Sequence, residues 1–281
     1  MTRYRFKIVT LAVSSIVLLL SCWPAVADDL GNPHRAGDLG FYGWRGRLGI
    51  ITPTSYRGVV IQLEFNQMKP VGTDMIVENV YLGRDLTEEA LTAMNKDAVG
   101  AAKKLKDRGA DIILYACTSG SFMKGPEYEQ QLLNSIKDAT GLPTATMVGS
   151  VIEALQTLKA KKIILISPYP PALDERVKKF LAHYGFEVVS YRSEVYYKHS
   201  SEIADALPGF FYRLAKQAYV KGADAIFISG GNVRALEVLD IMEKDFGIPA
   251  ISSNSASIWK SLRMAGINEK IPGYGKLLRE Y

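Results

Sequence analysis

"RGADIILYACTSG" (Arg108–Gly120) has a near-copy later in the chain, "KGADAIFISGGNV" (Lys221–Val233). Each begins with the end of a helical segment and a Gly-Ala-Asp turn. An apolar run of strand type follows, then a tip of small and hydroxyl residues. Beyond its tip each passes through a helix-period segment into Gly-Leu-Pro (141–143) or Gly-Ile-Pro (247–249), which reads as a helix C-cap feeding the next strand. The eighth residue after Gly109 is Cys117, and the eighth after Gly222 is Gly230. The repeat therefore predicts two similar lobes with equivalent strand tips, one carrying a thiol and the other bare backbone.

Outward from the repeat the same alternation continues. Strands are predicted at 47–52, 74–82, 111–116, 161–167, 186–192 and 224–229. Helices are predicted near 86–108, 126–139, 149–159, 172–184, 208–221, 233–246 and 254–265. Buried strands alternating with helices specify an α/β fold: two Rossmann-like lobes with parallel sheets, related by a pseudo-twofold. Lobe 1 is expected at 46–150, joined by the C-terminal segment 256–281, and lobe 2 at 151–255. Ligands of open α/β sheets sit beyond the carboxyl ends of the strands, so the active site is expected in the cleft between the lobes.

The N-terminus has another character. "MTRYRFK" carries Arg3, Arg5 and Lys7, an apolar stretch of about 15 residues follows, and "AVA" ends at Ala27. We read residues 1–27 as a signal peptide cleaved after Ala27, and 28–45 as a lead-in. The mature chain is then exported, most simply to a periplasm. A lipid anchor at Cys22, in "LLSC", and a retained membrane anchor are the alternatives. Removing residues 1–27 takes away three positive and no negative charges, so the formal +5 becomes +2. The remaining Lys and Arg are scattered among acids, which argues against a nucleic-acid partner.

With 48% hydrophobic and 22% charged residues, the chain can bury a large core. Its two cysteines are Cys22 and Cys117, so the mature chain has a single thiol. That thiol is either a buried inert residue or a reactive group. CxxC and HExxH are absent, and His34, His183 and His199 are far apart; no metal and no cofactor are expected. His199 reads as a surface-loop residue.

Seven segments taken in order resemble a known group of enzymes. They are "GIITP" (49–53), "CTSGSF" (117–122), "ATGLPTATM" (139–147), "ISPYPPALDERVKKFL" (166–181), "SGGNVRALE" (229–237), "GIPAISSNSASIW" (247–259) and "RMAGINEKIPGYGKLL" (263–278). The set is similar to the aspartate/glutamate racemase superfamily, most of all to the arylmalonate decarboxylases and next to the maleate cis-trans isomerases. Racemases of that superfamily carry two cysteines flanking the substrate. The decarboxylases keep only the second-half cysteine, which protonates the product after carbon dioxide leaves. Here the pattern is mirrored, with Cys117 at the first-half position and Gly230 at the second.

The resemblance implies a decarboxylase of a substituted malonate that works without a cofactor. Cys117 would protonate the enediolate, and Thr118, Ser119 and Tyr169 would form its dioxyanion hole, assisted by backbone N–H groups after Cys117 and Gly231. Thr52, Pro53, Thr54, Gly230, Gly231 and Asn232 would contact a small mono- or dicarboxylate substrate. Asn232 and Arg234 depart from the decarboxylase pattern, which is apolar there. Two other readings stay open. One is an isomerase or racemase using Cys117 as its reacting thiol. The other is an exported dicarboxylate-binding protein without turnover.

Overall fold

The structure, a computed structural model, describes residues 43–53, 59–82 and 87–281. The expected signal peptide, Cys22 and most of the lead-in lie outside them, as does Thr54.

Among the described residues, eight strands form two four-stranded parallel sheets of identical strand order. The first sheet contains β1 (Gly46–Pro53), β2 (Thr73–Val80), β3 (Ile112–Tyr115) and β4 (Thr144–Thr146), in the order β2-β1-β3-β4. The second contains β5 (Lys162–Ser167), β6 (Glu187–Ser193), β7 (Ala225–Ile228) and β8 (Ala250–Ser252), in the order β6-β5-β7-β8. Helices α1 (Val60–Met68), α2 (Glu88–Asp107), α3 (Thr118–Phe122), α4 (Pro126–Thr140) and α5 (Met147–Thr157) lie between the strands up to β5. Then come α6 (Pro171–His183), α7 (Pro208–Ala218), α8 (Leu236–Phe246), α9 (Ser253–Met264) and α10 (Lys276–Glu280). A 3-10 helix, Ser200–Asp205, stands between β6 and α7.

The repeated motif has a physical reason in each lobe. The carboxylate of Asp111 accepts the backbone N–H of Arg47 at 2.7 Å, holding β3 to the start of β1. Asp224 does the same to β5 through Lys161 and Lys162, at 2.9 and 2.8 Å. Gly141 and Gly247 end their helices in the left-handed region, at φ 70° and 71°, where glycine carries no Cβ penalty. The prolines two residues later present carbonyls that accept Ile113 and Ile226 N–H, which starts β4 and β8 in register. Both β3 and β7 are buried at all four positions, as strands covered on both faces must be.

Three differences from the sequence reading stand out, two of them with a local cause. Helix α1 was not foreseen because one of its core-facing positions is Glu64, which interrupts an otherwise apolar stripe. The predicted strand 74–82 ends at Val80. The predicted helix 233–246 starts only at Leu236, since Gly230 to Ala235 form the turn that reaches it.

The lobes are stitched together. Helix α9 follows β8 yet packs on β1, β3 and β4, and it also lies along α5. Arg176 of α6 donates to the Met123 carbonyl at 2.5 Å and pairs with Glu88 at 2.9 Å. Among the described residues no helix is long and apolar enough to cross a membrane.

Candidate active site

Strand β3 delivers the thiol. Cys117 continues the extended backbone past Tyr115 (φ −136°, ψ 105°), and helix α3 starts at the next residue. The cysteine is 5% exposed, and its sulfur accepts the Gly120 N–H at 3.3 Å, with Ser119 Oγ at 3.6 Å. Burial pushes the thiol up from its ordinary value; the Gly120 N–H and the Ser119 and Tyr115 hydroxyls pull only partly back. At neutral pH the sulfur therefore holds its proton.

Thr118 and Tyr169 bring further hydroxyls to the cavity that Cys117 lines. Thr118 Oγ1 lies 3.1 Å from Ser253 Oγ and 2.9 Å from Met147 Sδ. These two partners occupy equivalent places, each the first residue after the last strand of its sheet. Ser253 Oγ also accepts the Gly230 N–H at 3.0 Å, so one serine ties the two strand tips together. Tyr169 leaves β5 in an edge contact with Phe122, ring centroids 6.1 Å apart. Burial pushes its phenol up, while the Ser229 and Thr118 hydroxyls beside it pull back, so it is a donor throughout the ordinary pH range. Ser167, itself a donor to the buried Asp174, accepts the Tyr169 N–H at 3.2 Å and fixes that turn.

These groups wall a small, partly open cavity of about 50 Å³. Of the residues expected from sequence, Cys117, Thr118, Ser119, Tyr169, Thr52, Pro53, Gly231 and Asn232 all line it. Gly230 does not. It stands behind the wall at φ 137°, and a Cβ there would come within 2.6 Å of Val233 Cγ2. The sequence reading missed Leu82, Ser200, Ser201 and Ile203, which line the cavity too. The last three sit on the 3-10 helix, which has no apolar period to announce it. His199 is exposed at the head of that helix. Among the described residues no group of His, Cys, Asp or Glu is arranged to hold a metal ion.

The backbone at Gly230 makes its own prediction. Replacement by alanine combines a φ that L-residues avoid with a steric clash, and should cost about 1–3 kcal/mol. Denaturant unfolding measures this. A variant as stable as the parent would show that the turn relaxes freely.

A family model described as arylmalonate decarboxylase matches residues 48–278, which takes in both lobes and every lining residue of the cavity. The chain belongs to the arylmalonate decarboxylase family. The arylmalonate decarboxylase of Bordetella bronchiseptica is 29% identical over 198 residues, 69% of this chain and 82% of that one. The maleate isomerase of Nocardia farcinica is 26% identical over 247 residues, 83% of this chain and 96% of the relative. Among solved structures, a liganded arylmalonate decarboxylase double variant superposes with a TM-score of 0.78 at 28% identity. It covers 84% of this chain and all of its own. In that variant one glycine is replaced by cysteine and one cysteine by serine. A Nocardia farcinica maleate cis-trans isomerase structure, 21% identical with a TM-score of 0.77, shares the fold.

Proposed function

We propose that the protein is a cofactor-independent decarboxylase of an aryl- or alkenyl-substituted malonate. The observation that carries this is the one-sided cavity. A single protonated thiol, Cys117, stands among the Thr118, Ser119 and Tyr169 hydroxyls, and the Gly231–Asn232 wall of the other lobe brings no second acid. The other cysteine in the sequence is Cys22, outside the described residues.

In the proposed reaction the bond between the α-carbon and one carboxylate breaks. Its electron pair passes to the α-carbon and is delocalised over the remaining carboxylate as an enediolate, while carbon dioxide departs. Hydroxyl donors aimed at the enediolate oxygens lower this barrier without a metal, and such preorganised donors contribute several kcal/mol. The α-carbon then takes the Cys117 proton. The thiolate left behind keeps the Gly120 N–H and regains a proton from water. Leu82 and Ile203 supply apolar surface for the substituent or for the carboxylate that is lost.

Two-base racemisation needs an acid on each face. Addition of Cys117 to maleate needs the sulfur already ionised, and burial opposes that. Because the relatives include a double variant with a cysteine gained and a cysteine lost, the handedness of the product is the sharpest readout. With the thiol on the first-lobe wall, the product should be opposite in hand to that of a decarboxylase with its thiol on the second, for the same substrate pose.

The test is NMR and chiral chromatography on a panel of aryl- and alkenylmalonates and maleate in heavy water. Consumption of a malonate to one enantiomer of the α-deuterated acid is the expected result. Conversion of maleate to fumarate with a mass adduct on Cys117, and no gas release, would make the protein an isomerase. Thermal stabilisation by a dicarboxylate with no turnover would make it a binding protein.

A further inference from the structure

Behind the thiol, on the side away from the cavity, lies a group that the reaction above does not use. Tyr115 is fully buried and two residues before Cys117, so in extended backbone both side chains lie on the same side of the strand. Its hydroxyl donates to Asn95 Oδ1. Asn95 Nδ2 in turn donates to the Gly120 carbonyl and to Tyr128 Oη, both at 3.2 Å. The same Gly120 points its N–H at the sulfur. A Cβ on Gly120 would stand 2.7 Å from the phenol oxygen and 3.1 Å from Asn95 Oδ1, so only glycine leaves room for this pair beside the turn. The phenol oxygen and the sulfur thus flank one residue, Gly120, the oxygen beside its α-carbon and the sulfur on its N–H.

We propose that Tyr115 is a positioning residue for Cys117. Its hydroxyl hydrogen-bonds Asn95 while the thiol is protonated, and turns to the sulfur once that proton has gone to substrate. The inference rests on the reading of Cys117 as the proton donor. A phenol has one hydrogen to give, so the two acceptors compete for it. The neutral thiol is a weak acceptor and Asn95 wins; the thiolate is a strong one and Asn95 gives way. Burial and the nearby thiol keep the phenol well above its ordinary value, so it stays protonated in both states. The other titratable groups near the pair are Tyr169, close to Cys117, and Tyr128 one hydrogen bond further out.

The test reads the rate of iodoacetamide alkylation of Cys117 against pH, by mass spectrometry of the Cys117 peptide in the full chain. Tyr115→Phe removes the donor and should move the profile up by about one pH unit, a tenfold slower reaction at any pH below it. Asn95→Leu removes the competitor and should move it down. Tyr115→Phe deletes one buried hydrogen bond and Asn95→Leu deletes three, so a purely structural role would loosen the turn in both variants and shift both in the same direction. Opposite shifts support the inference. Shifts of the same sign, or a profile unmoved in both, overturn it. If Tyr115→Phe does not fold, the Asn95→Leu profile decides alone: down supports, unchanged or up overturns. No substrate is involved, so failure here is distinct from failure of malonates to react.

Discussion

Cys117→Ala is expected to lower turnover of a reactive aryl- or alkenylmalonate by about 10²–10⁴-fold, the usual worth of a positioned general acid. The residual product should also lose its handedness. Both effects have one cause. Loss of carbon dioxide depends on the hydroxyl donors, which this substitution leaves in place. The enediolate still forms, but its proton must then come from water, and nothing fixes the face from which water approaches. Thr118→Val should give the complementary signature. With a donor gone the rate falls by about 10²–10³-fold, but Cys117 still protonates one face and the enantiomeric purity survives. The measurement is initial rate plus chiral analysis for each variant. A Cys117→Ala variant that still makes a single enantiomer would remove the sulfur from the mechanism. Racemic product from Thr118→Val would mean that Thr118 holds the substrate's orientation instead of the enediolate charge.

The repeat was legible because each of its residues answers a local demand. Asp111 and Asp224 clamp a neighbouring strand, Gly141 and Gly247 need a left-handed φ, and the buried strands have nothing polar to hide. Such demands act within a few residues, so sequence displays them. The thiol and the Gly231–Asn232 wall came from that repeat, whereas Thr118, Ser119 and Tyr169 came from the family resemblance; all lie on strand tips or the turns just after them.

What stayed hidden depends on contacts between distant parts. Ser200, Ser201 and Ile203 reach the cavity from the 3-10 helix that follows edge strand β6, and no spacing in "KHSSEIAD" records that path. Ser253 lay inside a quoted motif, yet its link from Thr118 to Gly230 spans 135 and 23 residues. Gly230 was placed correctly at the tip, but whether its α-carbon faces the cavity is a matter of φ. The family resemblance brought residues of one cavity together without supplying any of these distances.

Glu64 is the residue whose consequence sequence concealed most, and it leads to the second large effect. Only 1% exposed on α1, it reaches into the other lobe, where Oε1 accepts the N–H groups of Ala235 and Leu236 at the start of α8, at 2.9 and 3.0 Å. Those bonds and the Asn254 side chain favour the ionised form, but burial outweighs them and pushes the carboxyl up to about 7, against 4.5 in an exposed chain. Oε2 has no partner among the described residues, so ionisation leaves a charge with a bare oxygen in the interior.

The sign of the effect follows from linkage. Between pH 4.5 and 7 the folded protein binds a proton at Glu64 that the unfolded chain has released, so stability falls as pH rises through that window. The contribution from pH 5 to pH 8 is a loss of about 2–3 kcal/mol. Asp174 and Glu129 are pushed in the same direction by burial, so the wild-type slope alone is not diagnostic. Glu64→Gln is. Glutamine keeps the oxygen that caps α8 and has no proton to lose, so the variant should match the parent near pH 5 and exceed it by about 2–3 kcal/mol at pH 8. Urea unfolding at the two pH values gives the comparison. Equal pH dependence in both proteins would mean that Glu64 is ionised throughout and that the joint between the lobes carries a buried charge.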